Sequence, residues 1–313
     1  MTWKKESLRD AYGKTLVELG KEREEIVVLD ADLSSSTKTS MFAKIFPARF
    51  FNVGIAEQNL MGVAAGLAYS GKIPFVSTFA VFAAGRAYDQ VRQSICYPRL
   101  RVRIVATHSG LTVGGDGASH QMCEDIGLMR SLPNITIISP CDAPQTRQVI
   151  RQIVDYPGPV YVRLVRQELP TLTEGMDYYI GKADVLMEGS DVSIVATGSM
   201  VNVALAAGES LKKEGISARV INIHTIKPID IKTLVRAARE TGGFVTVEEH
   251  NVTTGLGAAI SEVVAEHYPC PVKRIGVPDV FGESGEPEQL LTKYGLTVEN
   301  VIRKVKSIVE VKR

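Results

Sequence analysis

The feature that most constrains this chain is a repeated switch of hydrophobic period, in which short β-branched runs alternate with longer stretches whose apolar residues fall three and four apart. Residues 26–29, 73–77, 102–107, 135–139 and 160–165 are such runs, and helical patterns such as residues 56–69 lie between them. Strands separated by helices pair in parallel through crossovers, and a parallel sheet needs cover on both faces. The pattern therefore predicts an α/β fold. It lapses where Pro170, Gly175 and Gly181 fall in a segment of no clear period. It then resumes with strands over 192–196, 218–221, 244–247 and 272–275 and helices over 200–213, 231–239 and 255–267. Two apolar-periodic helices, 287–293 and 297–309, close the chain, with Gly295 as the stop between them. The expectation is two three-layer α/β/α domains, residues 1–170 and 186–313, joined by a linker over 171–185.

Composition narrows the partners. With 313 residues, 45 % of them apolar, each domain can bury its own core. The 36 basic residues nearly cancel the 35 acidic ones, and a net charge of +1 gives no long-range field toward nucleic acid or an anionic membrane. No apolar run approaches the roughly 18 residues of a membrane span. The opening Met-Thr-Trp-Lys-Lys-Glu-Ser has no apolar core of signal-peptide length, so a cytoplasmic location is expected. Cys96, Cys123, Cys141 and Cys270 are far apart with no Cys-x-x-Cys pair; they read as ordinary thiols rather than a zinc knuckle or a disulfide framework.

In open parallel sheets ligands bind outside the carboxyl ends of the strands. Four segments in that position carry chemistry: Asp30-Ala-Asp32, Gly54-Ile-Ala-Glu57, Ser77-Thr-Phe79, and Thr107-His108 followed by a Gly-rich loop. Glu57 opens a helix that is otherwise almost wholly apolar, where a carboxylate is costly to bury without a partner. Taken alone it reads equally well as an acid at the positive end of a helix. Phe79 and Phe82 have the spacing of one helix face, and taken alone suit a core pair. Asp32 suits a turn or N-cap. His108 and His120, with no third ligand at a sensible spacing, do not suggest a metal site. In the second domain, Glu248-Glu-His-Asn251 precedes Gly255-Leu-Gly257. That pattern allows an anion site at a helix N-terminus, but it lacks the third glycine and the acidic residue of a dinucleotide fingerprint. The second domain therefore reads as a packing and dimer-interface domain.

The ordered strings Phe51-Asn-Val-Gly-Ile-Ala-Glu-Gln-Asn-Leu-Met-Gly, Phe75-Val-Ser-Thr-Phe-Ala-Val-Phe and Thr107-His-Ser-Gly-Leu-Thr-Val-Gly-Gly-Asp-Gly-Ala-Ser-His-Gln resemble the pyrimidine-binding domain of transketolases. Thr225-Ile-Lys-Pro-Ile-Asp and Gly276-Val-Pro-Asp-Val-Phe-Gly-Glu-Ser-Gly resemble that family's C-terminal domain. The resemblance implies a cofactor, thiamine diphosphate, whose ylid carries a two-carbon ketol unit from a ketose phosphate to an aldose phosphate, as in the pentose phosphate pathway. It implies that Glu57 bonds the N1′ edge of the aminopyrimidine and holds or shares a proton there. Phe82, with Phe79 beside it, stacks on that ring, and Asp32 lies toward the thiazolium. His108, His120 and Asp116 face the sugar's oxygens. Arg9 and Arg166 grip its phosphate with the help of the Ser36 hydroxyl, and Arg163 rivals Arg166 for that part. Gly115-Asp-Gly117 is not the family's metal–diphosphate motif, because the Asn that completes it is missing at the matching interval near Val149.

That motif belongs to a domain which, in full-length transketolases, precedes this one. The expectation is therefore a split enzyme. A separate N-terminal subunit holds Mg2+ or Ca2+ and the diphosphate, and pairs of this chain associate within a heterotetramer that shares the cofactor between chains. Relatives such as 1-deoxyxylulose-5-phosphate synthase and the β subunit of 2-oxo acid dehydrogenases are alternatives, as is a regulatory subunit that only binds sugar phosphate. Thr107-His108-Ser109 favours transketolase, although Ala56-Glu57-Gln58 departs from the Arg-Glu-His usual in its single-chain members.

Overall fold

The computed structural model describes residues 4–312 and leaves Met1–Trp3 of the opening segment outside the described residues. Two sheets organise it. The larger runs in the order Thr225–Lys227, Thr136–Ile138, Val160–Arg163, Arg103–Thr107, Ile73–Phe79, Ile26–Asp30, Phe50–Asn52. Every pair in it is parallel except the first, where Thr225–Lys227 runs antiparallel to Thr136–Ile138. The second sheet runs Val272–Val277, Phe244–Asn251, Val192–Ala196, Ala218–Asn222, Asp184–Met187, with only the last pair antiparallel. Helices cover both sheets, which is the expected α/β architecture with mainly parallel sheets, and the antiparallel edge strands are additions to it.

The local sequence explains most elements. Ile26–Asp30, Ile73–Phe79 and Arg103–Thr107 are buried at every position, as mainly apolar strands covered on both faces of a parallel sheet are. Helix Leu8–Glu22 begins where the Ser7 hydroxyl accepts the Asp10 N–H, and helix Ala143–Ile153 where Asp142 accepts that of Gln145. Helix Ile231–Thr241 begins at Asp230 and stops at the left-handed Gly242. The segment after Val165 is tied down rather than loose. Glu168–Pro170 pairs with Lys5–Ser7, and the Asp142 carboxylate accepts the Leu172 and Thr173 N–H groups and the Thr173 hydroxyl. Strand Asp184–Met187 begins ahead of the boundary expected at 186. Strand Thr225–Lys227, from the second half of the chain, extends the first sheet.

The carboxyl ends of three adjacent parallel strands meet on one edge. Asp30 pairs with Ser77 and Phe79 with Thr107, so the loops leaving these strands form one mouth. Among the described residues no helix is long and apolar enough to cross a membrane.

Candidate active site

Glu57 is the first residue of helix Glu57–Tyr69 and is buried. Its carboxylate is not left to the helix dipole: Arg86 Nη1 donates to both oxygens, at 3.0 and 2.9 Å. The Arg86 guanidinium also lies over the Phe82 ring, 4.3 Å from its centroid. Both residues sit in a wide π-helical turn, Val81–Arg86, that leaves strand Ile73–Phe79. This corrects the expectation that Phe79 and Phe82 share an α-helical face: Phe79 ends the strand and Phe82 falls in the turn. Their rings nonetheless stack, with centroids 5.9 Å apart and planes 10° off parallel. Single π turns are rare and gather at functional sites.

His108 follows strand Arg103–Thr107 with a left-handed backbone, φ 56°, and is buried with its ring stacked 3.8 Å from Phe79. Nδ1 lies 2.9 Å from the Thr107 hydroxyl. Burial, and then the charges of Arg9, Arg166 and His120, push its pKa down to about 3, so it is a neutral imidazole at physiological pH. His120 stands edge-on to Phe82 at 5.6 Å and to Phe79 at 6.3 Å. The loop between the histidines is held from below by the second half of the chain. The buried Glu249 carboxylate accepts the Thr112 N–H at 2.7 Å and the Ser199 hydroxyl at 2.6 Å. Gly110 is required there, because its φ is +77° and an added Cβ would sit 2.3 Å from Glu249 Oε1.

A second cleft adjoins the loop and is lined by Arg9, Thr112, Asp116 and Arg166 among others. Arg9 donates to the backbone carbonyls of Ser36 (2.9 Å) and Arg166 (3.0 Å). Ser36 thus meets Arg9 through its backbone carbonyl. Arg166 donates to the Val113 carbonyl and, at 3.4 Å, to Asp116. Arg163 and Arg166 differ in placement. Arg163 is buried, its Nε on the Asp125 carboxylate and its Nη2 on the Met122 and Glu249 carbonyls, whereas Arg166 lines the cleft. Two buried polar atoms of this cleft, Arg9 Nε and Thr112 Oγ1, have no partner among the described residues. An anion would satisfy them.

Asp32, also left-handed at φ 65°, bonds Asn52 and lines the Glu57 cleft with Phe82, Arg86 and His120. The turn-capping duty falls on the neighbouring Asp30, whose carboxylate takes the Leu33 N–H and the Thr37 and Thr39 hydroxyls. An aminopyrimidine ring has two apolar faces and a polar edge. A cleft of about 380 Å³ with one aromatic ring and one buried carboxylate suits such a group.

The anion site allowed before Gly255 is already filled: Glu248 accepts the Leu256 and Gly257 N–H groups at 2.6 and 2.8 Å. Sequence reasoning missed Arg86, and it read Glu249 only as part of a string that allowed an anion site before Gly255. No spacing rule links Arg86 to Glu57 or Glu249 to Thr112. The only legible signal was an unpartnered acid in an apolar helix that demanded a cation.

Comparison with known proteins gives the family of the chain. Residues 4–171 match the family model "Transketolase, pyrimidine binding domain" and residues 181–301 match "Transketolase, C-terminal domain". The chain is 51 % identical over 302 residues, 95 % of each chain, to the "Putative transketolase C-terminal section" of Methanocaldococcus jannaschii. It is 42 % identical over 304 residues, 97 % of this chain and 94 % of the relative, to the "6-deoxy-6-sulfo-D-fructose transketolase subunit SqwH" of Clostridium sp. (strain MSTE9). A solved structure described as "Split gene transketolase, inactive beta4 tetramer" superposes with a TM-score of 0.92 at 56 % identity, covering 98 % of this chain and 99 % of that one.

Proposed function

Because this chain belongs to the transketolase family, we propose that it is the C-terminal subunit of a split transketolase and transfers a two-carbon ketol unit between sugar phosphates only when joined to an N-terminal subunit. The observation that carries this reading is the buried carboxylate of Glu57 beside the Phe82 ring at the mouth of a parallel sheet. When bound, thiamine diphosphate supplies the electron sink for breaking and forming the carbon–carbon bond. The residues of this chain orient and hold protons. Glu57 takes the polar edge of the pyrimidine, Phe82 backed by Phe79 takes its face, and Asp32 lies on the thiazolium side. His108 and His120 bond the sugar's carbonyl and hydroxyl oxygens, and Asp116 a further hydroxyl. Arg9 and Arg166, with their orphaned neighbour Thr112, take the phosphate.

The partner subunit holds the diphosphate and its Mg2+ or Ca2+ ion, and two copies of this chain meet in a heterotetramer. Support for that division comes from relatives of nearly the same length as this chain whose own names describe a section or subunit. The superposable structure described as a split gene transketolase and an "inactive beta4 tetramer" supports it as well. The sulfo-sugar in one relative's name leaves the acceptor and donor to be fixed by assay.

The test is reconstitution. The purified chain alone gives no turnover, and adding the N-terminal subunit yields ketol transfer from xylulose 5-phosphate to ribose 5-phosphate; robust activity from this chain by itself sinks the split reading. In the complex, Glu57→Gln lowers exchange of the thiazolium C2 proton, followed by NMR, by roughly a hundredfold or more while assembly persists. Unchanged exchange removes Glu57 from its assigned role.

A further inference from the structure

Arg86 has no part in the reaction just proposed, yet within this chain its guanidinium makes the two contacts that the reading reserves for the pyrimidine ring. Its Nη1 bridges the oxygens of Glu57 at 3.0 and 2.9 Å, and its central carbon lies 4.3 Å from the Phe82 centroid. A guanidinium is flat, carries N–H donors on its edge and stacks on aromatic rings, so it is a small substitute for an aminopyrimidine. The two partners differ in exposure. The Glu57 side chain is 2 % exposed and that of Arg86 49 %, so the carboxylate is fixed while the cation can withdraw to solvent without opening the core. The Arg86 backbone has its own anchor, since its carbonyl accepts from Gln58 Nε2 at 3.3 Å; the side chain can leave while the turn stays.

We propose that Arg86 is a positioning residue that acts through Glu57. It holds the carboxylate charge-balanced and covers the Phe82 face until the aminopyrimidine enters, and it then swings out. This rests on the thiamine diphosphate reading of the site. Displacement has a definite electrostatic consequence. With the guanidinium gone, a carboxylate this buried has lost its counter-ion, a costly state that ends when the carboxyl takes up a proton from solvent and shares it with the ring. Arg86 remains charged throughout, so one proton is gained per site. The other titratable groups lining the same cleft are Asp32 and His120; neither is a hydrogen-bond partner of Glu57 in the structure.

The experiment is calorimetric titration of thiamine diphosphate with Mg2+ into the reconstituted complex, in two buffers of different ionisation enthalpy, for wild type, Arg86→Met, Arg86→Lys and Glu57→Gln. Wild type takes up a proton on binding. Arg86→Met binds about tenfold tighter, because the competing contact no longer has to be broken, and takes up fewer protons. Arg86→Lys stays near wild type, and Glu57→Gln takes up none. Equal or weaker binding by Arg86→Met, with unchanged proton uptake, overturns the proposal. Failure of the wild-type complex to bind thiamine diphosphate overturns the parent reading and this one with it. If the methionine variant does not assemble, Arg86→Gln replaces it in the same calorimetric titration, and affinity and proton uptake equal to wild type reject the idea.

Discussion

Two arginines three positions apart have opposite fates, because only one of them points into a cleft. Arg163 neutralises the buried Asp125, whereas Arg166 stands beside Arg9 and donates to Val113 and Asp116. Substituting each should therefore fail differently. Arg9→Met or Arg166→Met in the reconstituted complex removes a charge-assisted bond of about 1.5–3 kcal/mol. It raises KM for a phosphorylated ketose by roughly ten- to a hundredfold at nearly constant kcat, and leaves an unphosphorylated ketose untouched. Arg163→Met strands Asp125 and costs about 3–5 kcal/mol of stability, read as an earlier urea midpoint, with KM unchanged in whatever fraction stays folded. Steady-state kinetics beside urea unfolding separate the two. A KM effect from Arg163→Met that equals the effect from Arg166→Met would contradict the assignment.

At the scale of elements, the loop carrying Asp116 and His120 is shaped from outside itself. Glu249 reaches it from strand Phe244–Asn251 and satisfies the Thr112 N–H, and the bare backbone of Gly110 makes room for that carboxylate. Glu249→Ala leaves a buried N–H and the Ser199 hydroxyl without their acceptor, a loss of about 1–3 kcal/mol per group. Gly110→Ala strains a positive φ and meets the carboxylate. The two changes share one clash, so the double variant should cost less than the sum of the singles, by about 0.5–3 kcal/mol. Urea melts of all four chains measure this, and strict additivity would mean the two residues do not meet. Such couplings explain what the sequence could and could not reveal. The buried parallel strands were legible because two-sided burial imposes unbroken Val and Ile runs. Strands Phe50–Asn52, Asp184–Met187 and Thr225–Lys227 were not, because each is short, lies at a sheet edge and is chosen by its neighbour rather than by its own residues. His108 was visible as the residue after a strand, His120 as part of the Gly-rich loop that follows it, and Glu57 as the acid at the head of an apolar helix. Arg86 was not, because the π turn that aims it leaves no periodic trace, and Glu249 meets Thr112 across 137 positions of sequence.

Across the whole molecule, the two sheets are joined by a buried line of charge. Tyr161 and Arg163 from the first sheet bond Asp125. Opposite them, His250 of the second sheet accepts the Ile126 N–H at Nε2, with Nδ1 placed 2.9 Å from the Asn251 carbonyl. That geometry requires a neutral imidazole with its proton on Nδ1, and burial, abetted by Arg163 against the pull of Asp125, accordingly pushes the His250 pKa from an ordinary 6.5 down to about 4. Glu248 lies 3.8 Å from His250. Burial pushes it the other way, from 4.5 up to about 7, against the backbone N–H bonds that lower it. The signs follow from linkage. The depressed His250 contributes stability above pH 6.5 that is lost as pH falls through 4. The raised Glu248 contributes stability below pH 4.5 that is lost as pH rises through 7. Across the shared interval the two slopes oppose each other, so the wild-type contribution from this seam is nearly flat. Removing either titration should expose the other: His250→Gln gives stability that falls as pH rises from 4.5 to 7, and Glu248→Gln gives stability that falls as pH drops from 6.5 to 4. Each change is on the order of a few kcal/mol, because every tenfold change in proton affinity between the folded and unfolded chain is worth about 1.4 kcal/mol. Urea unfolding of the three chains at half-unit steps of pH decides the matter. Two variants with slopes of the same sign would show that these groups do not titrate as an opposed pair.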